Sequence, residues 1–328
     1  MSRYHAVINT RSGMWGRILS AVLVAIVALG ALAASATASA ASLPDASAHY
    51  SFQTLDNPAD LTFNQLLGIN ESGLIAGYFG SGAAGHPNKG YLLPNDGHGA
   101  YRNENFPGSV QTQVTGLNNT GVTVGFWADA KGSNFGFYKT GGAFHTADYP
   151  NTSPASPVVD QLLGVNDHDI AVGFYNDANG TSHGYSYTIP THRYHKIAIS
   201  GASSVTAAAI NNGNDIAGFE TNSAGTVEGF LKLNNGHVTT LNVPGATMTQ
   251  ALGVNDGDEV VGVYQVGTGN SATTHGFIWA PGFGFQNVDD PSGIGATTVN
   301  GVNDHGRLVG FYTDSAGNTD GFLATPQG

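Results

Sequence analysis

Gly301-Val302-Asn303-Asp304-His305-Gly306-Arg307-Leu308-Val309-Gly310-Phe311-Tyr312, followed after a polar turn by Asp320-Gly321-Phe322-Leu323, is the clearest of six copies of one short pattern. Its anchor asparagine recurs as Asn70, Asn118, Asn166, Asn211, Asn255 and Asn303, at spacings of 48, 48, 45, 44 and 48 residues. A period in this range marks a solenoid, a propeller or an array of small supersecondary units.

Each copy reads as four strands, a to d. Strand a ends in a Gly-Ile-Asn type triplet. Its first position holds Gly68, Gly116, Gly164, Ala209, Gly253 and Gly301, all tiny, so something crowds the backbone there. Three residues after each asparagine stand Gly73, Gly121, Asp169, Asn214, Asp258 and Gly306, the residue types that accept a left-handed backbone. The asparagine therefore reads as a turn former that bonds the backbone through its own side chain. Strand b carries a glycine seven residues after each asparagine, from Gly77 to Gly310, which we expect to make room for an aromatic ring of the neighbouring copy. Strand c opens with Gly-aromatic pairs: Tyr91, Phe137, Tyr185, Phe230, Phe277 and Phe322 read as one repeated core layer. Strand d ends near Asp-x-Pro in most copies, and the fourth copy, Ala198-Ile199-Ser200, has lost that signal.

The sixth copy stops after strand c, and a stretch resembling strand d, Tyr50 to Pro58, stands ahead of the first copy. Splitting one unit between the two ends fastens a closed ring and gains nothing in an open stack. The expected fold is all-β: a six-bladed β-propeller of four-stranded antiparallel blades over 50–328, closed by the N-terminal strand pairing into the last blade. A β-solenoid is the competing architecture, but its capping segments are not visible.

Outside the repeat, residues 1–40 read as a secretory signal: Arg3, Arg11 and Arg17, an apolar run from Ile18 to Ala34, and Ala38-Ser39-Ala40 as the cleavage site. Residues 41–49 are a linker. An uncleaved N-terminal anchor is the alternative, and no later stretch could span a bilayer. The expected location is secreted and extracellular, or else periplasmic. Removing the leader's three arginines from 11 basic residues leaves 8 against 23 acidic ones, a net charge of −15. A nucleic acid partner is excluded on charge, and an anionic membrane surface is disfavoured. There is no cysteine, so neither disulfides nor a thiol catalyst can operate. Only 10% of residues are charged, against roughly 25% in an ordinary soluble domain. Neutral polar groups must then solvate the surface.

The pattern resembles the HAF family of extracellular repeats, G-I-N-x-x-G-x-V-V-G followed by H-A-F-L-W. The nearest copy runs from Gly253-Val254-Asn255 through Val260-Val261-Gly262 to His275-Gly276-Phe277-Ile278-Trp279. His183-Gly184-Tyr185 also keeps the histidine, while Lys89, Phe135, Glu228 and Asp320 replace it elsewhere, and glycine replaces alanine throughout. The resemblance covers nearly all of 50–328. It implies an exported bacterial repeat protein and carries no catalytic residues to transfer.

Three residue sets could carry function. Gln65, Gln113, Gln161, Thr206, Gln250 and Thr298 each lie three residues before the Gly-Ile-Asn glycine, and would form a polar ring if they face the axis. The competing reading has each bonding a neighbouring backbone. Asp129, Asp177 and Asp314 lie in b–c loops, with Asp60, Asp148, Asp160, Asp289 and Asp290 near d–a loops. Such oxygen-rich loops could take Ca²⁺, although no calcium-loop motif is present. His183 and His275 could pair with an aspartate for acid–base work, but their tolerant position argues for a surface role. With only Arg102, Arg193 and Arg307 in the mature chain and no G-x-S-x-G elbow, neither an arginine-cluster site nor a serine hydrolase is expected. The expectation is a non-enzymatic, monomeric binding propeller without a cofactor, recognising a glycan or protein on the loop face. The alternative is a metal-dependent hydrolase, lactonase-like or phytase-like, with its site over the channel.

Overall fold

A computed structural model of the chain describes residues 43–94, 96–155 and 157–327; the leader expected over 1–40 lies outside them. The described residues are all-β, with 24 strands and three single-turn 3₁₀ segments. The first unit runs Asn64–Ile69 (a), Ile75–Phe79 (b), Lys89–Leu93 (c) and Arg102–Asn103 (d), each antiparallel to the one before. The a strands of the next five units are Gln111–Leu117, Asp160–Val165, Ala202–Ile210, Met248–Val254 and Thr297–Val302. All repeat the a-b-c-d antiparallel order, and one parallel pair, Val227 with Met248, joins the fourth and fifth units into a single sheet. The sixth unit takes its d strand from the other end of the chain: Tyr50–Thr54 pairs with Thr319–Pro326, Thr54 opposite Phe322. Just ahead of it the linker also docks, its Ala46 amide bonding Asn287 O at 2.8 Å on the outer edge of the fifth unit.

The anchor asparagines do more than turn the chain. Their Oδ1 atoms accept the backbone amide four residues on, and in every copy but Asn211 also the one two residues on, as Asn118 does from Val122 and Thr120 at 2.9 and 3.1 Å. The residue three positions on has a positive φ in all six copies, from 56° at Asp169 to 94° at Gly121. The remaining Nδ2 donates to the carbonyl of the next unit's asparagine: Asn70 to Asn118, then to Asn166, Asn211, Asn255 and Asn303, at 2.9–3.3 Å. Asn303 donates in turn to Asn70 O at 3.1 Å, so the relay returns to its start. One side chain thus both makes the hairpin and joins units, which is why the residue type does not vary.

The two glycine positions answer to different neighbours. The glycine that opens the triplet lies against the next unit's strand a: a Cβ on Gly116 would stand 2.8 Å from Leu163 O and 3.1 Å from Gly164 Cα. The strand b glycine was expected to admit a ring from the neighbouring copy. Instead its own strand a crowds it, a Cβ on Gly173 standing only 1.9 Å from Gln161 O. The ring that approaches is also its own, as with Gly125 and Phe137, which are paired across strands b and c of one unit. A β-bulge follows directly in strand a, between Val114 and Gly116 in the second unit.

The strand c rings, Tyr91, Phe137, Tyr185, Phe230, Phe277 and Phe322, are at most 1% exposed, as the repeated core layer requires. Burying each stabilises the fold by about 1.5–3 kcal/mol. Among the described residues, seven apolar clusters each lie between two consecutive units, two of them between the fourth and fifth. One of them joins Leu66, Ile75 and Tyr91 of the first unit to Val309 and Leu323 of the sixth.

Candidate binding site

The bulge in strand a recurs in every unit, between Leu66 and Gly68, Val114 and Gly116, Leu162 and Gly164, Ala207 and Ala209, Ala251 and Gly253, and Val299 and Gly301. The residue left without a pairing partner is Leu67, Thr115, Leu163, Ala208, Leu252 or Asn300. All six line one central cavity of about 320 Å³. They also line a waist of about 90 Å³, together with the Gly-Ile pairs that follow them. Beyond the waist a third cavity of about 80 Å³ is walled by the a–b hairpins. The three form a channel with two different mouths.

The hairpin mouth carries Glu71, Asn119, Asp167, Asn212, Asp256 and Asp304. Each side chain accepts the equivalent backbone amide of the preceding unit, from Glu71 N on Asn119 Oδ1 at 2.9 Å round to Asp304 N on Glu71 Oε1 at 3.0 Å. Asn119 Nδ2 and Asn212 Nδ2 each donate to Asp167 Oδ2 between them. Burial, with Asp304 and Asp256 nearby, raises the pKa of Glu71.

The loop mouth is wider and less satisfied. Of the Gln/Thr set, Gln161, Thr206 and Gln250 line the 320 Å³ cavity, while Gln65, Gln113 and Thr298 do not. Gln65 Oε1 accepts the Tyr78 hydroxyl at 2.7 Å, and Gln113 Nε2 donates to Asn88 Oδ1 at 2.9 Å. Gln161 is fully buried, yet neither its Oε1 nor its Nε2 has a hydrogen-bond partner. Gln250 Oε1 and Asn300 Oδ1 are likewise buried and unpartnered. Leaving one such group unpaired costs about 1–3 kcal/mol. Gln113 Oε1, opposite Phe126 and outside the lining of the cavity, is buried and unpartnered too. The facing strand supplies a partner only in the first unit. The residue opposite Gln65 is Tyr78, whereas the residues opposite Gln161 and Gln250 are Phe174 and Val263, which carry no hydroxyl. The cavity leans toward the third and fourth units, where Phe174, Ser182, Phe219 and Val227 extend its wall to the ends of the b–c loops. Its lining carries no charged side chain.

The aspartates lie elsewhere. Asp129, Asp177 and Asp314 each accept two amides of their own loop, at 2.8–3.1 Å. This is the same turn chemistry as the anchor asparagine. Asp177 also meets His183 Nε2 at 2.9 Å. Asp289 meets His275 Nδ1 at 2.7 Å, a bond that raises the histidine's pKa, and His275 Nε2 lies 2.9 Å from Thr273 Oγ1. Asp148 is exposed just beyond strand d of the second unit, Ala143–Thr146. Asp160 is fully buried and takes the Tyr185 hydroxyl and the Tyr149 amide, both at 2.6 Å. Burial pushes its pKa up to about 7. Asn64, Thr112, Thr249 and Thr297 at the same register accept the equivalent amide of Asn57, Phe106, Val243 and Asp290. In the fourth unit the position is Val205, which has no acceptor, and there the Asp-x-Pro signal is also missing. Among the described residues no three His, Asp or Glu side chains come together as metal ligands.

The missed channel residues had a weak sequence signal. A bulged residue has no cross-strand partner to constrain it, so Leu, Thr, Ala and Asn all occur there. The alternation of Tyr78, Phe126, Phe174, Phe219, Val263 and Phe311 beside the glutamines was readable, and it separates the satisfied glutamine at position 65 from the unsatisfied one at 161.

Among solved structures, the chain is similar to the SapL1 lectin in complex with α-methyl fucoside, with a TM-score of 0.51 and 11% identity over 77% of this chain and 89% of that one. It is similar to TolB from Acinetobacter baumannii, with a TM-score of 0.50 and 11% identity over 81% and 64% of the two chains. A third similar structure is the fungal Aleuria aurantia lectin, a six-bladed β-propeller, with a TM-score of 0.48 and 9% identity over 84% and 92%. At these identities the likeness speaks to fold alone, and the fold is all-β and propeller-like. No protein-family model and no curated protein sequence matches the chain.

Proposed function

We propose that the chain is an exported, non-enzymatic binding protein of the HAF-repeat kind, folded as a closed six-bladed propeller that recognises a glycan on its loop face. Closure is supported by the asparagine relay that returns from Asn303 to Asn70, and by the N-terminal strand paired into the sixth unit. The observation that carries the binding reading is the 320 Å³ cavity, shared by all six units and walled by apolar and neutral polar groups. Small-ligand sites have this size and this mixture. A propeller-like lectin that holds a methyl fucoside lends the glycan reading support by analogy.

The regularity of the units bears on the absence of catalysis in this reading. Among the described residues three histidine–aspartate pairs form, His86–Asp60, His183–Asp177 and His275–Asp289, and none of these residues lines the cavity. The test is a glycan array probed with the chain from residue 41 onward. Binding to one class of glycan is the expected result, and an array blank at high micromolar protein would end the reading.

A further inference from the structure

The loop-mouth cavity contains a specific contradiction between burial and bonding. Gln161 has no exposure and no partner for either amide atom. Gln250 and Asn300 line the same cavity, and each has a buried oxygen without a partner in the chain, Asn300 after its Nδ2 has bonded Leu66 O at 3.1 Å. Buried polar groups in folded proteins are almost always paired, and those that are not call for a cause. Gln113 keeps one bond, from Nε2 to Asn88, and leaves only its Oε1 unpaired, whereas Gln161 makes none. The first unit shows how easily the fold removes the problem: one hydroxyl, Tyr78, pairs Gln65. The third unit keeps phenylalanine at that place.

The walls limit what could supply the missing bonds. Phe174, Phe219, Leu163 and Leu252 give the cavity an apolar side, and no lining side chain bears a charge. An ion would enter this space without a counter-charge, at high desolvation cost. A wholly apolar ligand would leave the three side chains unpaired. What fits is a neutral molecule with hydroxyls on its edge and C–H groups on its face. Each hydroxyl donates to one amide oxygen, and one accepts from Gln161 Nε2.

We propose that this cavity, off the axis toward the third and fourth units, takes one neutral pyranose ring, with its hydroxyls on Gln161, Gln250 and Asn300 and its apolar face toward Phe174 and Phe219. The proposal rests on the glycan reading above and adds to it a place and a charge class. Free sugar and the terminal residue of a longer glycan share this chemistry, and the experiment separates them.

The experiment titrates the chain from residue 41 onward with methyl glycosides of glucose, galactose, mannose and fucose, and with glucuronate and glucosamine as charged counterparts. A glycan array runs in parallel with wild type and two variants. Gln161→Leu removes the unpaired amide. Phe174→Tyr places a hydroxyl opposite Gln161, as Tyr78 stands opposite Gln65, and so fills its bonding capacity from within. Melting curves verify folding of both. The expected result is binding of at least one neutral glycoside, at least tenfold weaker in each variant, with glucuronate and glucosamine not bound. Binding on the array but not to methyl glycosides would assign the site to a longer glycan's end, provided both variants again lose it. Variants that keep wild-type glycan binding would overturn the site and leave the glycan reading standing. Preference for a charged sugar would overturn the charge class. No binding to any glycan would remove both readings together.

Discussion

The two mouths of the channel are made by the same six strands, and they treat their polar groups in opposite ways. At the hairpin mouth every anchor asparagine is spent twice, on its own turn and on the next unit, and the residue after it accepts an amide from the preceding unit. At the loop mouth, a few residues earlier on the same strands, Gln161, Gln250 and Asn300 reach a cavity with bonding capacity left over. The first arrangement is what a fold needs to hold units in register. The second costs stability and has no return within the chain. Repeated bonding and spare bonding capacity are therefore separated along the axis.

This contrast can be attacked from both ends, beginning with the largest effect. Asn118→Ala removes the acceptor of two amides and the donor to Asn166 O at once, and should cost about 3 kcal/mol in denaturant unfolding. A loss under about 1 kcal/mol would mean that water replaces the relay freely.

The next effect is in pH. Asp160 has its pKa pushed up to about 7 by burial, from an ordinary aspartate value of 3.8. A carboxyl raised in the folded state binds its proton better there than in the unfolded chain. Its contribution to stability is full below about pH 4 and is lost as pH rises through 7. Carboxylates held low act the other way, as Asp314 is by the amides of its own loop, so the informative quantity is a difference. The gap in melting midpoint between Asp160→Asn and wild type should grow in the variant's favour from pH 4 to pH 8. A gap independent of pH would show that Asp160 titrates normally.

A smaller effect should carry the opposite sign from the first. Gln161→Leu deletes an unpaired buried amide and should raise stability by about 1 kcal/mol, measured by the same unfolding curves. If it destabilises instead, the glutamine has a structural partner and the contrast between the mouths fails. Last, the b–c loop aspartates are occupied by their own backbone amides, so melting with and without a chelator should give one midpoint. A drop on chelation would identify a structural cation.

Much of the scaffold could be read from residue types alone, because the scaffold is where chemistry and position are tied. Only Gly, Asn and Asp tolerate the positive φ at Gly73, Asp169 and their equivalents, and only asparagine offers an acceptor to its own turn and a donor to the next. The split of one unit between Tyr50 and Phe322 was visible for the same reason. The channel was less visible. Its wall is made by bulged residues whose type is free, so Leu67 and Asn300 share a position without sharing chemistry. The Gln/Thr set was recognised as polar and repeated, but which members face the cavity depends on single neighbours such as Tyr78 and Asn88. The strand b glycines were assigned to the wrong neighbour because a close approach by the facing strand's carbonyl leaves no mark of its own in composition.

The pairing of Tyr50–Thr54 with Thr319–Pro326 also orders events in time. The first five units can each assemble from strands that lie close together in the chain. The sixth cannot, since the Gly321 amide reaches Asp56 across 265 residues. Bringing such distant segments together is entropically the most expensive closure in the molecule. The first strand made must therefore wait, with Phe52 uncovered, until the last one has been synthesised. Its docking then completes the four-stranded sheet of the sixth unit. The junction between the two ends of the chain is the place to look for the slowest refolding phase and the earliest amide exchange.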